Sequence, residues 1–298
     1  MAARLRFAGP LLGLFICVSG PLSAKTRPWP AAEGSQIHCS GEAAGDSEPS
    51  GAVWHPRLQR LLVVSDEGTV MQMAADGSEI ETWFVGGDLE AIAIADPEGT
   101  LAYLGLETPE RVLEFDLASG ALTGRGWDLS PWMAGRDEDG LEALTVVEGR
   151  FYAGHQADGR IYVFELAPDG GVEHIDTFRA PRHRADLSGL DYHADVRRLF
   201  AIHDTLDLIV EMRPDGTFLR EFELPGADQE GIAVRRAGFF GQATIFIAED
   251  GGGVWRYDDY PIVYRLLGIP IRRVAGWGLG SLGLLAGLLA AVRWRRTL

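Results

Sequence analysis

Five short segments repeat one order of residue types, a polar residue, then a small one, then an apolar run. They are Ser50-Gly51-Ala52-Val53, Glu90-Ala91-Ile92-Ala93, Glu142-Ala143-Leu144-Thr145, Ser188-Gly189-Leu190-Asp191 and Glu230-Gly231-Ile232-Ala233. A second polar column follows, after another apolar run in each unit: Asp66, Glu107, His155, His203 and Glu249. Carboxylates gathered in a narrow space repel one another unless a cation neutralises them. The chain has a single lysine, Lys25, and neither column contains a lysine or arginine. Oxygen coordination of a hard divalent cation is the chemistry such a set supports, and Ca²⁺ suits flexible carboxylate ligation best, although another divalent ion would fit. The expected metal ligands are Glu90, Glu142, Glu230, Asp66, Glu107 and Glu249. His155 and His203 would also admit a transition metal, but a satisfied polar side chain is the commoner role for such a histidine. The competing reading of the whole repeat is structural, with Glu and Ser capping strand starts or binding neighbouring backbone N–H groups.

Other chemistries are poorly served. There is no nucleophile-elbow serine, no Cys/His pair at metal spacing and no glycine-rich phosphate loop. Gly251-Gly252-Gly253 reads as a hairpin turn. The formal charge is -16, from 43 Asp+Glu against 27 Lys+Arg, and seven of the arginines lie in the terminal segments 1–24 and 271–298. A body that acidic repels phosphate backbones and excludes nucleic acid as a partner. Arg179, Arg182, His183 and Arg184 form its one basic cluster. It reads as a solvated loop, with an anionic ligand as the functional alternative. Trp127, Pro131 and Trp132 lie in the longest connection between units, where they would form a lid, a partner contact or packing over a sheet edge.

The repeat also specifies the elements that must position these residues. Its spacings of 40, 52, 46 and 42 residues fall in the range of a four-stranded propeller blade. Each unit carries a second apolar run, such as Leu61-Leu62-Val63-Val64 or Ile245-Phe246-Ile247-Ala248, and a third alternating one, such as Arg160-Ile161-Tyr162-Val163-Phe164. Turns such as Asp76-Gly77 and Pro214-Asp215-Gly216 lead into a fourth strand. The fold expected is all-β, a five-bladed β-propeller. The fifth unit runs short of chain, and Ser35-Gln36-Ile37-His38-Cys39 stands where a fourth strand would precede the first unit. Closure of the ring by this N-terminal strand balances the count, with 260–267 as a competitor for the same edge. The first strand of each blade lies nearest the axis, so both polar columns should converge on one mouth of the central channel.

The ends suggest export and anchoring. Arg4 and Arg6, the apolar run Phe7–Val18 and the small residues up to Ala24 follow the order of a secretory signal. After its removal Cys39 is the only cysteine, so an internal disulfide and a cysteine metal site are both excluded. Val274–Val292 is nineteen residues without a charge, flanked by Trp277, Trp294 and the arginines 293, 295 and 296. The expected layout is a signal peptide 1–24, linker 25–34, propeller 35–267, juxtamembrane linker 268–273, C-terminal transmembrane helix 274–292 and cytoplasmic tail 293–298. The propeller would then face the extracytoplasmic side of a bacterial cytoplasmic membrane.

The units Glu48-Pro49-Ser50-Gly51, Asp88-Leu89-Glu90-Ala91-Ile92, Gly140-Leu141-Glu142-Ala143-Leu144 and Asp228-Gln229-Glu230-Gly231-Ile232, with Leu62-Val63-Val64-Ser65-Asp66-Glu67, resemble the SdiA-regulated (YjiK-like) bacterial propellers. The resemblance covers roughly 35–258. It implies a five-bladed propeller distantly similar to NHL-repeat proteins, with a calcium site at Glu90, Glu142, Glu230 and Asp66, and it brings no established enzymatic activity. Ala91 and Ala143 depart from the family's usual Gly, and the histidines at 155 and 203 depart too. Two functions remain. One is a cation-binding platform for an envelope protein or small ligand, preferred because no nucleophile is present. The other is a metal-dependent hydrolase of the lactonase, esterase or phosphoesterase type, with Glu90 or Glu142 as general base.

Overall fold

The computed structural model describes residues 26–39, 48–133, 140–180, 185–237, 241–262, 265–266 and 269–270. The alternating apolar runs form strands, and the turn residues between them fold the strands into five antiparallel four-stranded sheets. Blade 1 comprises Pro49–His55, Arg60–Ser65, Thr69–Met73 and Glu81–Phe84, and blade 2 comprises Leu89–Ile94, Leu101–Leu106, Arg111–Asp116 and Ala121–Asp128. Blade 3 is Leu141–Val147, Arg150–His155, Arg160–Leu166 and Val172–Arg179, and blade 4 is Leu187–His193, Arg198–His203, Leu208–Met212 and Phe218–Glu223. Blade 5 takes Gln229–Ala237, Gln242–Glu249 and Gly253–Pro261 from the C-terminal side and Ser35–Cys39 from the N-terminal side.

The N-terminal strand therefore closes the ring, pairing Ser35 with Arg256 and Cys39 with Gly253. Residues 260 and 261 do not compete for that edge, because they prolong the third strand of blade 5, opposite Ala243 and Gln242. Ahead of the closing strand, Arg27 bridges Phe222 in parallel, and its carbonyl accepts from Glu223 N–H at 2.8 Å. The segment thus crosses the outer edge of blade 4 before it reaches blade 5.

Each gap between neighbouring blades holds its own apolar cluster. Leu62, Val64, Leu104 and Phe115 fill the gap between blades 1 and 2, and Phe200, Ile209, Ile245 and Ile247 fill the one between blades 4 and 5. At the closing gap between blades 5 and 1, Trp54 stacks on Phe246 with the rings 7° apart, and Arg235 lies over both. Burying apolar side chains of this size stabilises by about 1.5–3 kcal/mol each, so the ring is held by five comparable interfaces. Trp127 is buried and donates from Nε1 to Ala167 O at 2.7 Å, while Trp132 packs on Phe164. These tryptophans cover the edges of blades 2 and 3.

The first strands crowd together around the axis, which explains the small residue of the repeat. A Cβ on Gly231 would lie 2.4 Å from Ser50 O, and one on Gly189 would lie 2.7 Å from Glu230 O. Among the described residues no helix is long and apolar enough to cross a membrane. The expected signal peptide, transmembrane helix and cytoplasmic tail fall outside the described residues.

Candidate metal centre

Every first strand breaks register at the polar residue of its repeat. The shifts lie between Pro49 and Ala52, Leu89 and Ala91, Leu141 and Ala143, Leu187 and Gly189, and Gln229 and Gly231. A bulge leaves one residue unpaired and re-aims its side chain. The five bulges thus release Ser50, Glu90, Glu142, Ser188 and Glu230 from the ladder around the axis. Glu90, Glu142 and Ser188 line a narrow central opening whose other walls are the Gly, Ala and apolar residues of the repeats.

The two serines turn to the backbone: Ser50 Oγ donates to Glu48 O at 3.1 Å and Ser188 Oγ to Gln229 O at 2.7 Å. The glutamates behave differently. Burial first, and then a hydrogen bond with Asp88 and the charges of Asp88, Glu107 and Glu230, push the Glu90 carboxyl up to about 9. Burial and the neighbouring Glu90, Glu107 and Glu230 hold Glu142 well above the usual carboxylate range. Burial, then Asp204, Asp250, Asp186 and Asp228, raise Glu230 to about 8, and its Oε2 is buried without a hydrogen-bond partner.

The second column does not form one ring. Opposite the first-strand starts stand Ser65, Leu106, His155, His203 and Glu249, paired with Pro49, Leu89, Leu141, Leu187 and Gln229. Asp66 and Glu107 therefore lie one residue beyond the position that His155, His203 and Glu249 occupy. Successive strand residues face opposite sides, so the two subsets diverge. His203 is fully buried with Nδ1 2.9 Å from Ala185 O, and His155 sits 3.5 Å from Asp158. Glu249 presses its Oε1 against Gly226, where a Cβ would be 2.1 Å away, in the connection between blades 4 and 5.

The residues in register with Asp66 and Glu107 are Gln156, Asp204 and Asp250. Facing them, two positions ahead of each repeat's polar residue, are Glu48, Asp88, Gly140, Asp186 and Asp228. Backbone bonds join the two sets: Glu107 N–H to Asp88 O at 3.0 Å, Gln156 N–H to Gly140 O at 3.1 Å and Asp250 N–H to Asp228 O at 2.9 Å. Blades 1, 2, 4 and 5 thus each bring a pair of acids to the mouth. Sequence reading missed Glu48, Asp88, Asp186, Asp204, Asp228 and Asp250. The acid two residues ahead of the repeat was a visible signal in four of the five units.

Among the described residues, two groups of oxygens are close enough to share an ion. Asp88, Glu90 and Glu107 each offer an oxygen within 4.8 Å of the others, as do Glu48, Asp66 and Glu67. Glu107 Oε1 also accepts from Gly140 N–H of the next blade at 3.0 Å, which fixes it across the blade gap. Asp204 Oδ1 does the same with Gln229 N–H at 2.8 Å. Burial and then the adjacent Glu67 and Glu48 push Asp66 up to about 7, and its Oδ1 is left without a partner. The donor set is all oxygen and carries orphaned buried atoms at Asp66 and Glu230. It fits a hard divalent cation.

Two solved structures that superpose with a TM-score above 0.5 share the fold of this chain. The glutaminyl cyclase of Myxococcus xanthus superposes with a TM-score of 0.58 at 14% identity, over 78% of this chain and 97% of that one. A protein of unknown function from Bacteroides thetaiotaomicron superposes with a TM-score of 0.53 at 15% identity, over 76% and 75% of the two chains. Virginiamycin B lyase from Staphylococcus aureus gives 0.43 at 14% identity, over 72% and 67%. No curated protein matches the sequence. Residues 169–242, which run from the last hairpin of blade 3 into the second strand of blade 5, match the family model described as SdiA-regulated. The chain is a five-bladed β-propeller, and its segment 169–242 is similar to the SdiA-regulated family.

Proposed function

We propose that the protein is an exported, membrane-anchored binding module of the bacterial envelope that holds a divalent cation, Ca²⁺ foremost, at the axial mouth and binds a ligand or partner protein there. One observation carries this reading. Glu142 is buried, and Glu90 and Glu230 half-buried, beside further acids, and the neighbouring charges that act on them are all negative. Such an arrangement stabilises nothing by itself, because buried carboxylates need paired charge or metal. Asp88, Glu90 and Glu107 would form the main ligand group, with Glu142 and Glu230 completing the charge balance. Oxygen-only donors favour Ca²⁺ over softer ions. Anchoring through 274–292 would keep the module at the outer face of the cytoplasmic membrane.

A second reading is supported by Glu90 itself, a carboxyl raised to about 9 beside a metal-type cluster. Such a group suits proton transfer, and a bound cation would supply Lewis acidity for a lactone or ester. Calorimetry of Ca²⁺ against chelator-treated full-length protein in detergent tests the main reading. One site of micromolar affinity or tighter is expected. The absence of heat, together with the absence of co-purifying metal, would reduce the acids to strand-capping structure.

A further inference from the structure

The acids do not surround the mouth evenly. Blade 3 has Gly140 and Gln156 where the other four blades have a carboxylate pair. Further out on this blade and on the same face, the third strand opens on Arg160 and the fourth closes on Arg179, and their register sets them opposite each other. The corresponding pairs elsewhere are Thr69–Phe84, Arg111–Asp128, Leu208–Glu223 and Gly253–Cys39, none of them like-charged. Like charges directly opposite on adjacent strands destabilise a sheet.

Among the described residues one carboxylate, Asp158, pairs with both arginines. Asp158 Oδ2 is 2.9 Å from Arg160 Nη1 and 4.0 Å from Arg179 Nη2. The arginine side chains keep 43% and 41% of their surface exposed, so both forks remain open to solvent. Beneath them His155 is buried, with Nδ1 3.5 Å from Asp158 Oδ1 and no hydrogen bond. Two guanidinium groups against one carboxylate leave a single positive charge in a protein whose formal charge is -16.

We infer that Arg160 and Arg179 form an anion subsite at the rim of the mouth, which takes the carboxylate end of the ligand. A monoanion neutralises the local excess, and the planar forks match a carboxylate's two oxygens. Strands lie about 4.8 Å apart, so a ligand reaching from the axis to the third strand would be on the order of 10 Å long. This deepens the binding-module reading and rests on it for the ligand's axial end. The subsite itself rests on the arginine pair.

The test uses full-length protein in detergent and ¹⁹F line broadening of 4-fluorobenzoate, with uncharged 4-fluorobenzamide as its control. The acidic surface repels anions at large, so a preference for the benzoate must come from a local site. Wild-type protein should broaden the benzoate and spare the benzamide. Arg160→Gln and Arg179→Gln should each weaken benzoate binding about tenfold, the loss expected for a charge-assisted hydrogen bond. Arg150→Gln should not, because Arg150 opens the second strand at the far end of the blade and pairs with Glu165 at 2.9 Å. Equal broadening of the two probes, no loss in the Arg160 and Arg179 variants, or an equal loss in the Arg150 variant would overturn the subsite. An unchanged thermal transition certifies the fold of each variant. Ca²⁺ titration of the same samples reads the axial site separately. Benzoate selectivity without Ca²⁺ binding defeats only the cation reading, and Ca²⁺ binding without selectivity defeats only the subsite.

Discussion

Blade 4 and the axial mouth both bury carboxylates, and they treat them in opposite ways. In blade 4, Glu211 is fully buried and both of its oxygens are engaged. Arg198 donates to Oε2 at 2.5 Å, while Arg220 and Tyr260 each donate to Oε1 at 2.7 Å. Arg220 also reaches Pro261 O at 2.5 Å, tying the end of blade 5 to blade 4. At the axial mouth, Glu90, Glu142 and Glu230 are surrounded by other acids. A buried charge whose partners are present is a structural element. One surrounded by like charge is where the proposed cation would act.

The sharpest way to break this comparison is to neutralise one acid of each kind. Glu211→Gln leaves Arg198 and Arg220, each only 15% exposed, without their counter-charge. Breaking a buried pair in this way costs about 3–5 kcal/mol, and a thermal melt should show a large fall in Tm. Glu142→Gln removes a carboxyl whose ionised form burial and its acidic neighbours disfavour, so metal-free protein should melt at the same temperature or higher. Equal losses in the two variants would make the mouth a structural cluster like that of blade 4.

Next in size is the cation itself. Glu90→Gln and Glu142→Gln should each weaken Ca²⁺ binding, by about a hundredfold for Glu90 in the tighter oxygen group. That corresponds to roughly 2.7 kcal/mol. Glu249→Gln should leave the affinity unchanged, since Glu249 lies against Gly226 rather than in either oxygen group. Calorimetry on the three variants checks the ordering. A Glu249 effect as large as that of Glu90 would mean that the ion sits between blades 4 and 5.

The pH dependence has a definite sign. Burial and the neighbouring acids push Glu90 up to about 9 and Glu230 up to about 8 in the folded chain, from the ordinary glutamate value of 4.5. The native state therefore holds protons that the unfolded state has released. Stability of metal-free protein is greatest below about pH 4.5 as far as these groups are concerned, and falls as pH rises towards 8–9. A cation displaces the same protons, so Ca²⁺ affinity should climb across that window. Melts of chelated and Ca²⁺-loaded protein should diverge as pH rises, and parallel curves would remove these carboxyls from the site.

The architecture was legible because one blade-sized unit recurs and the small residue after each polar one reports crowding at the axis. The N-terminal closing strand was legible from a shortage of chain in the fifth unit. The site was less so. Nothing in the residue types announces that each first strand bulges at Ser50, Glu90, Glu142, Ser188 or Glu230. A one-residue difference in register separated Asp66 and Glu107 from His155, His203 and Glu249, and alternation then sent them to different sides. The like-charged pair Arg160–Arg179 depends on strand register as well, and residues nineteen apart cannot be matched without it.

The smallest effect concerns the serines that share the repeat with the glutamates. Ser188 Oγ donates to Gln229 O at 2.7 Å in a buried setting, directly before Glu230 in the next blade. Its hydroxyl therefore links two bulges, and Ser188→Ala should cost about 1 kcal/mol, as for one lost hydrogen bond. The carbonyl left behind remains close to the packed first strands, so the loss should appear in the melt. Ca²⁺ affinity should stay within about twofold of wild type, because the hydroxyl is directed to the backbone. A large loss of affinity with little change in Tm would instead make Ser188 a ligand and extend the metal site from the acids to the whole repeat column.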